Sequence, residues 1–168
     1  MILLVCPLNQ VEAVRAARQP SHVLSLLSPD GDPPVWSDLP SDRTRLLQFH
    51  DIAEPRPNLT PPSTATIQDL LAFGRSWDGA RPLLTHCWAG VSRSTAAAYI
   101  LACDRQPGAE EALAKALRAA SPTATPNPLM IRLADTLLRR DGQMISAIAA
   151  IGRGAETEIG RPFELAVG

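Results

Sequence analysis

Cysteine is scarce in this chain: Cys6, Cys87 and Cys103 are its only thiols. Three cysteines this far apart make no disulfide framework. No two of them have C-x-x-C spacing, and the three histidines do not cluster with them, so a structural zinc site is not expected. Excess charge is lacking as well. The formal net charge is −1, so no global field points to nucleic acid or to an anionic membrane, and any chemistry on phosphate has to come from a local site. No apolar run is long enough to cross a bilayer. The opening Met1–Pro7 is apolar but short and carries no positive leader, so it reads as a first strand and not as a signal peptide. Internal repeats and low-complexity segments are absent. The expectation is a soluble cytoplasmic protein with reduced thiols.

The length of 168 residues fits one domain with a real core, and 45% apolar residues is an ordinary globular share. Ile2–Cys6 and His22–Leu27 read as buried strands, with a helix over Asn9–Arg18 between them. A loop rich in Pro, Asp and Gly covers Ser28–Asp42. Leu46–Phe49 is a short strand that leads into His50-Asp51 and a Pro-rich segment ending at Pro62. Ser63 is placed to cap a helix whose apolar positions Ile67, Leu70, Leu71 and Trp77 share one face. Pro82–Thr85 is a further buried strand, followed by a helix over Thr95–Cys103. The last third reads as helical: Glu110–Ala120, then a helix opened by Asn127-Pro128 with Met130, Leu133, Leu137 and Leu138 on one face, then one capped by Asp141 and ended by Gly152 and Gly154. Residues 155–168 read as a flexible tail behind a domain spanning 1–154. Strands alternating with helices predict an α/β domain with a mostly parallel central sheet, flanked by helices. Ligands bind such sheets beyond the carboxyl ends of the strands.

One segment lies at such an end, between strand and helix: His86-Cys87-Trp88-Ala89-Gly90-Val91-Ser92-Arg93-Ser94. A helix starting near Ser92 turns its free N–H groups and positive dipole end back toward the loop. Five residues between Cys87 and Arg93 let the loop curl so that the amides of Trp88, Ala89, Gly90, Val91 and Ser92 converge on one tetrahedral anion. Gly90 allows a backbone conformation or close approach that a side chain would hinder. Cys87 opens this cradle in a field that favours its thiolate, the nucleophilic form. Arg93 supplies a planar fork for two phosphate oxygens. Ser94 is placed to donate to the sulfur as it leaves.

The run His86-Cys87-x-x-Gly90-x-x-Arg93-Ser94 resembles the full signature of the protein tyrosine phosphatase superfamily, and the short chain resembles its compact dual-specificity branch. The likeness covers roughly Leu46–Leu138, since Ser121-Pro122 and Pro126-Asn127 also resemble that branch. It implies a phosphomonoester hydrolase working through a cysteinyl-phosphate, with no metal or organic cofactor. It also implies a general acid on a mobile loop upstream. Asp51 fits that place; Asp38 and Asp42 lie in the preceding loop, Asp69 and Asp78 sit on or after a helix leading away, and Glu54 is the nearest substitute. A plain cap, or a pairing with Arg43, Arg45 or Arg56, is the other reading of Asp51. By the same resemblance His86 is a supporting residue that tunes the cysteine. Trp88 reads either as a lip of the pocket or as packing. Cys6 and Cys103 read as core residues, with a disulfide to Cys87 under oxidation as a further possibility. The loop interior, Trp88 to Ser92, has no lysine, which tilts the expected substrate toward a phosphorylated protein, phosphotyrosine first and phosphoserine/threonine second. The alternatives are an inositol phosphate or other small phosphomonoester, and an idle phosphate-binding module.

Overall fold

A computed structural model describes every residue from Met1 to Gly168. Five strands, β1 (Ile2–Pro7), β2 (His22–Leu27), β3 (Thr44–Gln48), β4 (Leu83–Cys87) and β5 (Phe163–Ala166), form one sheet in the order β3-β2-β4-β1-β5. The first four run parallel; β5 pairs antiparallel with β1, Leu3 opposite Leu165. Six helices surround it: α1 (Val11–Arg18), α2 (Thr64–Ser76), α3 (Arg93–Arg105), α4 (Glu110–Ala120), α5 (Pro128–Leu138) and α6 (Gln143–Ile151). Single 3₁₀ turns precede α1 and β3.

The two faces of the sheet are unequal. Successive side chains of a strand point to opposite faces, and β1 divides accordingly. Leu3 and Val5 enter a cluster of 32 buried residues under α2 to α6, while Leu4 and Cys6 enter a cluster of six with Val11 of α1, Val23, Trp36 and Leu84. The thick face is centred on α3, of which every residue from Arg93 to Cys103 is buried. A helix buried all round needs small side chains where neighbours press close, and Ala96, Ala97, Ala98 and Ala102 provide them. No helix is long and apolar enough to cross a membrane.

Local chemistry explains the boundaries. Ser63 accepts from the Thr66 N–H at 3.2 Å while Thr66 Oγ1 accepts from the Ser63 N–H at 3.2 Å, a reciprocal cap. Asn127 caps α5, with Pro128 at its first position. Two expectations need correcting. Asp141 does not cap α6: the chain turns there through left-handed Asp141 and Gly142, and the acceptor for the Gly142 and Met144 N–H groups, at 2.8 and 3.0 Å, is Asp135 from α5. The segment after Gly154 is not a loose tail. A strand buried along its length, as β1 is, needs a partner on each side; β4 is one and β5 the other, with Leu165 and Val167 each only 2% exposed.

Parallel order sends the carboxyl ends of β1, β2, β3 and β4 to one edge. Pro7, Leu27–Ser28, Phe49 and Cys87 therefore meet there.

Candidate active site

Cys87 ends β4 on the thick face, buried, with its Sγ 3.1 Å from Ser94 Oγ in the first turn of α3. The intervening loop is turned inside out relative to an ordinary turn. Its carbonyls are held from outside: Trp88 by the Leu8 N–H at 3.1 Å, Ala89 by the Gly160 N–H at 2.8 Å, and Val91 by the Thr125 N–H at 2.9 Å and Thr95 Oγ1 at 2.6 Å. None of the N–H groups of Trp88 to Ser92 donates to a protein acceptor. Unpaired donors in a partly buried loop are costly unless something fills them, and here they sit in a row at the N-terminus of α3, the arrangement that binds tetrahedral anions. Gly90 makes the curl possible. Its φ is +68°, and a Cβ would lie 2.6 Å from the Pro7 nitrogen and 2.9 Å from the Cys6 carbonyl carbon.

Arg93 is only 5% exposed although charged. Its Nη1 donates to the Phe49 carbonyl at 2.8 Å and to Ser28 Oγ at 3.3 Å. Its Nε is buried without an acceptor. One corner of the guanidinium is thus anchored to protein, and the Nε–Nη2 edge remains for two oxygens of a ligand. Ser28, one residue past β2, carries no sequence signal that would have marked it.

Asp51 stands three residues past β3, on the other rim. Its Oδ1 accepts from Ser92 Oγ and from Asn127 Nδ2, both at 2.7 Å. The competing acids are engaged elsewhere: Asp38 with Arg15, whose hydrogen bonds hold its carboxyl below the usual range, Asp69 with Arg45 and Glu54 with Arg132, and Asp78 with the Ala80 N–H. Asp42 sits in the 3₁₀ turn before β3, away from this rim. None of the arginines weighed as partners of Asp51 contacts it; donors from the Cys87–Ser94 loop and from the start of α5 do.

His86 lies on the opposite face of β4 from Cys87, edge-on to Trp36 with ring centroids 6.0 Å apart and Nε2 2.7 Å from Ser25 Oγ. Burial pushes its pKa down to about 4, so the ring is neutral near pH 7. Cys6 also points to the thin face, away from Cys87, and its thiol is pushed up to about 12 by burial and by the negative charge that Cys87 can carry. Cys103 lies in the core of α3, also raised to about 12 by burial. Neither is paired, and Cys6 would have to cross the sheet to reach Cys87.

These groups enclose a pocket of about 560 Å³ with Cys87 and Arg93 at its base, Leu8, Leu27 and Trp88 on its walls, and Asp32, Asp51 and Thr157 at its mouth. Trp88 is 68% exposed, whereas Trp36 and Trp77 are buried; it is a lip and not core packing. Thr157, from the segment expected to be loose, lines the mouth although no motif announced it.

No family model matches the sequence, and no curated protein matches it. Solved structures do share its fold. DUSP15 superimposes with a TM-score of 0.62 at 16% identity, over 92% of this chain and 94% of that one. The PTP-2 phosphatase of Cydia pomonella gives 0.58 at 20% identity over 80% and 84%, and PTPMT1 gives 0.55 at 13% over 88% and 94%. At such identities the likeness is one of fold, and it covers most of the chain. The chain has the dual-specificity-like fold of the protein tyrosine phosphatase superfamily.

Proposed function

We propose that this protein hydrolyses phosphate monoesters through a covalent phosphate on Cys87, with phosphotyrosine in proteins as its preferred substrate. The observation that carries the reading is the combination at the base of the pocket: a thiol beside a free row of backbone N–H groups and an arginine whose one edge has no protein acceptor. A dianionic phosphoryl group satisfies all of these donors together.

In the first step the Cys87 thiolate attacks phosphorus, an S–P bond forms, and the P–O bond to the leaving group breaks. The loop amides and Arg93 stabilise charge on the non-bridging oxygens. Asp51 protonates the departing oxygen. In the second step water attacks phosphorus and gives its proton to Asp51. The S–P bond breaks, inorganic phosphate forms, and Ser94 Oγ donates to the departing thiolate. The substrate preference rests on the mouth. Arg93 is the only cationic side chain among the pocket residues. One phosphate is accommodated and no second cation is there to hold another, which disfavours inositol polyphosphates. The exposed indole of Trp88 offers an aromatic wall to an aryl ester.

The test is turnover on a panel of phosphotyrosine peptide, phosphothreonine peptide and inositol polyphosphate. The expected order of kcat/KM is that order, and Cys87→Ser should leave below about one percent of wild-type activity on each. Retained activity in Cys87→Ser would remove the nucleophile, and a preference for the polyphosphate would remove the substrate assignment.

A further inference from the structure

The nucleophile loop is shaped by its own backbone, but Asp51 is not. It is exposed, on a segment of twelve residues between Phe49 and Pro62 that has no helix or strand of its own. Yet its carboxylate is fixed in one place, and the fixing comes from α5, more than seventy residues along the chain. We propose that Asn127 is a positioning residue for catalysis: a strut that uses the rigid start of α5 to hold the acid over the pocket, with Arg132 one turn on as its second anchor. This rests on Asp51 being the general acid.

Asn127 is 2% exposed and uses both ends of its amide. Its Oδ1 accepts from the N–H groups of Leu129 and Met130 at 3.0 and 3.1 Å, the ordinary work of a helix cap. Those N–H groups require an oxygen, so the amide cannot be turned round, and Nδ2 must face the acid segment. There it donates to Asp51 Oδ1 at 2.7 Å and to the Ile52 carbonyl at 3.3 Å. Further along the segment, Arg132 Nη2 donates to the Ala53 carbonyl at 3.0 Å. The base of the segment is closed by His50, which gives its N–H to the Thr60 carbonyl at 2.7 Å and takes the Thr60 N–H on Nδ1 at 2.9 Å. Helix capping alone accounts for Oδ1 but not for Nδ2; a serine or aspartate would cap as well but would carry no N–H at the Nδ2 position that faces Asp51.

The strut also decides which oxygen carries the proton. With Ser92 Oγ and Asn127 Nδ2 both donating to Oδ1, that oxygen's lone pairs are occupied, and Oδ2 is left to bear the hydrogen passed to the leaving group. The acid is therefore oriented before substrate arrives, with a side chain doing what a closing loop would otherwise do.

The discriminating variant is Asn127→Ser, which keeps an N-cap oxygen and removes the amide donor. The readouts are kcat/KM, which reports the step in which the leaving group departs, on a phosphotyrosine peptide and on an activated aryl phosphate, whose phenoxide leaves without protonation, together with thermal stability. We expect kcat/KM to fall about tenfold on the peptide and less than about twofold on the activated ester, with the melting temperature nearly unchanged. Arg132→Ala should shift kcat/KM the same way, by less. In the Asp51→Asn background, Asn127→Ser should cost nothing further. Equal losses on both substrates, or no loss on either, would overturn the strut. So would an additive loss in the double variant. If Asp51→Asn shows the difference between substrates and Asn127→Ser does not, the strut alone fails; if Asp51→Asn shows no such difference, the acid assignment fails and the strut with it.

Discussion

The two halves of the proposed site are built in different ways. The nucleophile half, from Cys87 to Ser94, is contiguous, and its shape comes from backbone: strand register at Cys87, a left-handed Gly90, and a helix start at Arg93. The acid half is a single carboxylate on an irregular segment, placed by Ser92 from the facing loop and Asn127 from a distant helix. A local backbone solution leaves a spacing pattern that can be read in nine residues. A side-chain solution assembled across the chain leaves none, because its parts are brought together only by the packing of α5 beside α3 and α2.

That difference separates the consequences of mutation. Damage to the nucleophile half should slow every substrate alike, since each passes through the same phosphoryl transition state. Arg93→Lys keeps the charge but loses the fork, and should lower kcat/KM about 10² to 10³-fold on peptide and activated aryl phosphate equally. Damage to the acid half should depend on the leaving group. Asp51→Asn should cost about 10²-fold on a phosphotyrosine peptide and far less on the activated ester, measured as the ratio of the two kcat/KM values. A ratio that does not move would erase the contrast between the halves. Gly90→Ala sharpens it from the other side: the added Cβ drives the loop off Pro7, and a loss of about tenfold, the same on both substrates, is expected in steady-state kinetics.

The smallest effect is on stability. His86, buried against Ser25 and Trp36, has its pKa lowered by burial to about 4, against an ordinary 6.5. The unfolded chain binds a proton between those values that the folded chain refuses, so this contribution is intact above about pH 6.5 and is lost as pH falls toward 4. The loss is on the order of 3 kcal/mol. Urea unfolding of wild type and His86→Gln across that range should show a steeper acid loss in the wild type.

Legibility in the sequence followed the same division. β2 and α4 have the boundaries that hydrophobic runs predict, and Ser63 and Asn127-Pro128 cap where their types suggest. The strand-to-loop-to-helix path from Cys87 to Ser94, with Gly90 at its tight point, was readable as a shape. What was not readable depends on distant partners. Phe163–Ala166 is too short to announce a strand, and only the need of buried β1 for a second neighbour argued for one. Thr157 and Ser28 reach the pocket because the Gly160 N–H ties the C-terminal segment to Ala89 and because β2 ends beside Arg93. Asn127 was legible as a cap, but its other hydrogen bond was not, since nothing near it in the chain points to Asp51.

The central claim is that Cys87 carries the phosphoryl group. The direct measurement is rapid acid quenching of the protein during turnover of a phosphotyrosine peptide, followed by digestion and mass analysis of the peptide that contains Cys87. The account predicts phosphate on Cys87 in the wild type, more of it in a variant that slows the water step, and none in Cys87→Ser. Rapid turnover with no phosphate on that peptide, or phosphate on another side chain, would contradict it.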